Sequence, residues 1–144
     1  MKPKITAFIV LGLIILGLAV YGYFKAVPRT ENQTGDQPQI EISPEYFDFG
    51  EIEFGQIVEY NFRVKNTGKE VLKIKKIATS CGCTTAKIDK KKISPGEEVD
   101  LRVVYNTAAM GGAHGRGKQE RIIYLKSNDS TNPQVEVMIY AVVK

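Results

Sequence analysis

The sequence predicts an all-β chain, an antiparallel β-sandwich of about seven or eight short strands behind one transmembrane helix. Three observations predict it. Beyond residue 40 the apolar residues recur with period two, not 3.6. Clusters of turn-forming residues separate these runs. Ahead of them lies an apolar segment of about 20 residues without a charge.

That first segment runs from Ile5 to Phe24, ITAFIVLGLIILGLAVYGYF. At helical rise it spans roughly 30 Å, the thickness of a bilayer's hydrocarbon core. A cleavable signal peptide has a shorter apolar region, of about 7–15 residues, and ends on small side chains. Here the run ends on Tyr21, Tyr23 and Phe24, aromatics suited to the membrane interface, and no cysteine follows to carry a lipid. The expectation is an uncleaved signal anchor, with residues 1–25 forming a cytoplasmic end and the span. Lys2, Lys4 and the amino terminus outweigh Lys25 and Arg29, so the remainder faces away from the cytoplasm. Residues 26–39, AVPRTENQTGDQPQ, are polar and rich in turn-formers, and read as a flexible tether.

The folded domain then covers residues 40–144. Val58, Tyr60, Phe62 and Val64 alternate with Glu59, Asn61, Arg63 and Lys65, giving one apolar and one polar face. Asn66-Thr67-Gly68 follows, read as a hairpin turn with glycine at positive φ. Pro95-Gly96 is a second turn, leading into the alternation of Val99, Leu101, Val103 and Tyr105. Ile122 to Leu125 is apolar on both faces, and so is the run from Val135 to Val143. Both therefore read as central strands, separated by the turn-forming Asn128 to Pro133. Strands at this spacing suit immunoglobulin-like, Greek-key connections. There is no Trp, and the two cysteines are too close to bridge two sheets, so packing alone must hold the sandwich.

The net charge of +4 falls further once the lysines and arginine flanking the anchor are set aside. Nothing in it calls for a nucleic acid partner. The runs Lys73-Ile74-Lys75-Lys76 and Lys90-Lys91-Lys92 read as a solvated strand face and a loop.

The stretches DFGEIEFGQIVEYNFRVKNTGKEVLKI, SCGCTT, ISPGEEVDLRVVYNT and SNDSTNP occur in order between about Ile42 and Val143. Together they resemble a bacterial domain-of-unknown-function family marked by a Ser-Cys-Gly-Cys-Thr motif. That family is similar to the ASH/MSP/Hydin-type domains, which are mostly protein-binding modules. The resemblance implies an immunoglobulin-like sandwich and no particular reaction. With a bacterial family and the anchor's charge balance, the expected location is the bacterial cytoplasmic membrane, single-pass, with the carboxyl-terminal domain outside. The loop AAMGGAHGRGKQE, longer than the family's, is a departure.

Cys81 and Cys83 are the only cysteines. In an extended strand their Cα atoms lie roughly 6.6 Å apart, close to the upper limit of about 6.8 Å for a disulfide. Gly82 permits the kink that shortens the gap. A bridge across one residue removes little unfolded-state entropy, so it is a poor staple and a plausible redox couple. Two thiolates on one face also suit a soft ion such as Cu(I), with Met110 and His114 as further ligands if their loop folds over. The third reading is a strand-switch packed with small side chains.

Gly112 to Lys118 matches the start of a phosphate-binding loop. Gln119 stands where a Ser or Thr must hold magnesium, and a strand follows instead of a helix. No nucleotide is expected. His114 is the only imidazole, so no Ser-His-Asp set can be assembled, and the chain reads as a non-enzyme. The leading expectation is an interaction or scaffold module of the cell envelope with a protein partner. The alternative is a thiol-redox or copper-handling domain.

Overall fold

The computed structural model describes residues 15–18, 21, 36–109, 111 and 115–144. Contacts divide the chain into two compact units, Met1–Asn32 and Gln33–Lys144. In the first unit residues 15–18 and 21 are helical, and Ile15, Leu16 and Leu18 are exposed. The rest of the expected anchor, and the tether up to residue 35, lie outside the described residues. Among the described residues no helix is long and apolar enough to cross a membrane.

The second unit is a sandwich with nine strands among the described residues. These are β1 (Ile40–Ser43), β2 (Tyr46–Ile52), β3 (Ile57–Asn66), β4 (Leu72–Thr79), β5 (Thr84–Ile88), β6 (Lys92–Ile93), β7 (Glu98–Asn106), β8 (Gly117–Ser127) and β9 (Gln134–Val143). One sheet has the order β1-β3-β7-β5 and the other β2-β9-β8-β4-β6. The count exceeds the sequence expectation for two reasons. The first strand breaks at Pro44, which has no N–H to give to a ladder, and continues in the opposite sheet. The two-residue β6 is too short to show a period. That sheet switch also makes β2 run parallel to β9, against the expectation of a wholly antiparallel sandwich. As the two-sided patterns predict, β9 lies between β2 and β8, and β8 between β9 and β4.

Phe62, Val64, Leu101, Val103 and Tyr105 from one sheet meet Leu72, Ile123, Leu125, Val137 and Ile139 from the other. All are fully buried, and they form the dry layer between the sheets. Tyr60 stacks on Phe47 at 3.7 Å and meets Phe62 edge to face at 4.9 Å, tying β2 to β3.

The turn after Asn66 is not the hairpin its sequence suggests. β3 and β4 belong to different sheets, and Gly68 does not have positive φ. Glycine is required there for close approach: a Cβ on Gly68 would lie 2.1 Å from the Gln37 carbonyl oxygen. Thr67 N–H donates to Gln39 O at 3.0 Å, and Lys69 N–H to Gln37 O at 3.2 Å. The last residues of the tether therefore belong to the folded unit. Gly96 does take positive φ, at 76°, as the Pro95-Gly96 turn requires.

Candidate functional site

β6 pairs only with Leu72 and Lys73, so from Lys75 onward β4 is an open edge among the described residues. β5 is one of the two edges of the other sheet, with β1 at the far side. Between the β4 and β5 edges, on the open side of the sandwich, lies a cleft of about 320 Å³. Its apolar lining is Ile74, Ile77, Ala86 and Ile88, and its basic lining is Lys76, Lys87 and Lys91. Unpaired strand edges over an apolar floor are what an extended polypeptide needs in order to add as a strand.

The charge around this cleft is strongly one-sided. Between Leu72 and Ile93 the chain carries seven lysines and one acid, Asp89, so the rest of the chain is net negative. The register sets like charges opposite each other: Lys73 faces Lys92, Lys76 faces Lys126, and Lys87 faces Arg102. Arg102 is also ion-paired to Glu59, whereas Lys73–Lys92 and Lys76–Lys126 have no such carboxylate partner among the described residues. Like charges directly opposite disfavour the free domain. Lys76, Lys87 and Lys91 have no carboxylate ion pair among the described residues. Both lysine runs are exposed, as their reading as a solvated strand face and a loop expects; the sequence pattern does not show that they flank one cleft. The available signal was lysine density across the whole of residues 72–93.

Lys90 is the exception, since it bonds both Glu97 carboxylate oxygens, at 2.6 and 2.9 Å. The Lys90 ammonium, and then the Ser94 N–H, hold the Glu97 carboxyl below its ordinary value. With the folded value depressed, the contribution to stability is present above the unfolded carboxylate range and is lost as acid titrates the folded group. In Lys90→Ala the Glu97 side-chain carboxyl, followed by carbon-13 NMR across an acid titration, should titrate at higher pH than in the parent chain. An unmoved midpoint would show that Lys90 does not set it.

Ser80 to Cys83 forms the turn that carries the chain from β4 to β5. Cys81 and Cys83 are joined in a disulfide with Cα atoms 5.3 Å apart, shorter than an extended strand allows. Cys83 is 3% exposed and packs into the core, while Cys81 is partly exposed. The Thr84 hydroxyl lies 3.6 Å from Cys81 Sγ and 3.8 Å from Cys83 Sγ. Arg121 Nε, from β8, donates to Cys83 Sγ at 3.0 Å, and the guanidinium sits 5.6 Å over the Tyr105 ring. The same guanidinium bonds the Glu120 carbonyl and the Gln119 side chain. Nothing in the sequence links Arg121 to the cysteine motif.

Gly82 does not have positive φ, and a Cβ there would meet nothing within 4 Å. Gly82→Ala should therefore keep the bridge and change stability by less than about 1 kcal/mol in a denaturant melt. A larger loss would mean that the turn needs glycine.

While bridged, the two sulfurs offer no thiolate to a metal. Met110 and His114, the other copper candidates, lie outside the described residues. No group of three His, Cys, Asp or Glu able to hold a metal occurs among the described residues. Of the phosphate-loop-like run, Gly117 and Lys118 are the first residues of β8, so that end of the run opens into a strand. Gly115 packs tightly, since a Cβ there would lie 2.7 Å from the Thr107 carbonyl oxygen.

Residues 40–143 match the family described as "Protein of unknown function (DUF1573)". No curated protein matches the chain. Among solved structures, a protein of unknown function from Porphyromonas gingivalis W83 superposes with a TM-score of 0.67 at 23% identity. The match covers 81% of this chain and 51% of that one. The Vibrio cholerae VesB protease gives 0.56 at 13% identity, over 74% of this chain and 32% of the protease. An ASH/PapD-like domain of human CEP192 gives 0.55 at 11% identity, over 81% of this chain and 91% of that domain. This chain thus spans about half of the Porphyromonas protein and a third of the protease. At these identities the likeness is one of fold, an immunoglobulin-like, PapD-like sandwich.

Proposed function

The chain belongs to the DUF1573 family of unknown function, and from that premise we propose that it is a membrane-anchored, non-enzymatic interaction module of the bacterial cell envelope. Its sandwich faces away from the cytoplasm and captures an extended, acidic segment of a partner protein in the cleft between β4 and β5. The anchor rests on the uncharged run from Ile5 to Phe24 and on the exposed helical Ile15, Leu16 and Leu18. A disulfide between Cys81 and Cys83 suits the oxidising side of that membrane.

The observation that carries the reading is the set of like-charged cross-strand lysine pairs beside a cleft of mixed apolar and basic lining with two free edges. A sandwich held by packing gains nothing from placing Lys73 opposite Lys92 or Lys76 opposite Lys126. An acidic partner strand relieves that repulsion. Its backbone pairs with β5 or β4, while alternate apolar side chains seat on Ile77 and Ile88.

Photo-crosslinking in the native membrane tests this reading. A benzophenone side chain at Lys87 should trap a discrete protein adduct, whereas the same group at Glu41, on the distant edge strand β1, should not. Adding Lys76→Glu and Lys91→Glu should reduce the adduct about tenfold or more, the size expected for reversing several contact charges. Equal trapping from positions 87 and 41, or insensitivity to the charge reversals, contradicts the reading.

A further inference from the structure

The two sulfurs of the Cys81–Cys83 bridge differ in surroundings. Cys83 Sγ is buried and receives the Arg121 Nε hydrogen bond at 3.0 Å. Arg121 has no carboxylate partner among the described residues, so its charge is spent on that sulfur and on the two neutral oxygens it also bonds. Cys81 is partly exposed, and the space over neighbouring Gly82 is open to at least 4 Å.

The bridge is not needed to hold the turn. Ser80 N–H donates to Ile122 O at 2.9 Å, and Ile122 N–H to Ser80 Oγ at 3.0 Å, pinning the start of the turn to β8. Thr79 Oγ1 donates to Cys81 O at 2.9 Å. Asn106 N–H donates to Cys83 O at 2.9 Å, pinning its end to β7. A cross-link between residues two apart also removes very little chain entropy. Both observations leave the covalent bond without a structural role.

We infer that Cys81–Cys83 is a thiol-exchange site, open to nucleophilic attack at Cys81, with Cys83 as the leaving thiolate held by Arg121. The co-reactant is a dithiol, such as a pair of neighbouring reduced cysteines in another protein. One of its thiolates attacks Cys81 Sγ. A mixed disulfide to Cys81 forms as the Cys81–Cys83 bond breaks, and the electron pair goes to Cys83 Sγ beside the guanidinium. The dithiol's second thiol, on losing its proton, attacks the mixed disulfide and expels Cys81 as a thiolate. The partner is oxidised to a disulfide by two electrons, and this bridge is reduced to two sulfhydryl groups. Exchange is fastest when the leaving sulfur is stabilised as an anion, and a fixed cation in contact with it does that.

The test uses the full chain in detergent micelles, with dithiothreitol as the dithiol and glutathione as a monothiol that halts at the mixed disulfide. Acid quenching, alkylation and peptide mass mapping should find glutathione on Cys81 in at least about tenfold excess over Cys83. Arg121→Gln should slow reduction by dithiothreitol about tenfold, and Arg121→Lys should restore part of the rate. The reduced chain should keep its fold, melting within a few degrees of the oxidised chain. Three results overturn the proposal: glutathione on Cys83 or on both sulfurs equally, a bridge that resists millimolar dithiothreitol, or an Arg121→Gln chain reduced as fast as the parent. The glutathione mapping needs no substitution, so it stands even if an Arg121 variant misfolds.

Discussion

Asn66→Leu is expected to lower the unfolding free energy by about 4 kcal/mol, a large part of what a domain of this size has. Asn66 is fully buried at the end of β3, where the chain leaves one sheet for the other. Its side-chain oxygen accepts from Gly68 N–H at 3.0 Å and from Gln39 N–H at 3.3 Å. Its amide nitrogen donates to Glu70 O at 2.8 Å and to Ile93 O at 2.9 Å. One side chain thus joins the approach to β1, the crossover turn and β6. Leucine keeps the branched outline and fills the site, though its methyl groups need more room than the amide, which adds some crowding. Four backbone groups lose their partner, each costing about 1–3 kcal/mol where water cannot replace it. Chemical denaturation of the full chain in micelles measures the effect. A loss below about 1 kcal/mol would mean that water takes over these bonds.

Phe62→Ala is expected to cost about 3–5 kcal/mol, through lost burial and an unfilled cavity between two sheets that cannot collapse onto each other. Phe62 is fully buried, and Tyr60 packs against it edge to face at 4.9 Å. Phe62→Leu, which refills most of the space, should recover more than half of that loss. Equal melts for the two variants would place Phe62 outside the core that governs stability.

The strand faces were legible because period two is a local property. Val58 to Val64 and Val99 to Tyr105 could be assigned to the core without any knowledge of neighbours. The two-sided runs at β8 and β9 likewise announced central strands. Which edge meets which edge was not legible, because pairing is tertiary. The sheet switch at Pro44 and the crossover at Gly68 carry signals that also occur in ordinary turns. Gly68 is a glycine for the space it leaves to Gln37, a demand set by a segment about 30 residues upstream. The cleft escaped for the same reason: lysines 73–76 and 87–92 share an edge only after β4 and β5 take places in opposite sheets. Arg121 and Cys83 stand 38 residues apart in sequence and meet only through the register of β8. The cysteine motif was visible at once, and its cation was not.

The central claim is that the β4–β5 cleft receives an extended acidic strand. Backbone amide NMR of the nitrogen-15-labelled full chain in micelles, titrated with a synthetic peptide of alternating glutamate and valine, tests it most directly. The account predicts saturable shifts confined to residues 74–77 and 84–91, with amides of β5 not bonded to β7 gaining protection from exchange. It also predicts that the shifts fade with added salt, as charge-driven contacts must. Shifts centred on β1 or on the outer face of the β9–β8 sheet, or none at millimolar peptide, would contradict it.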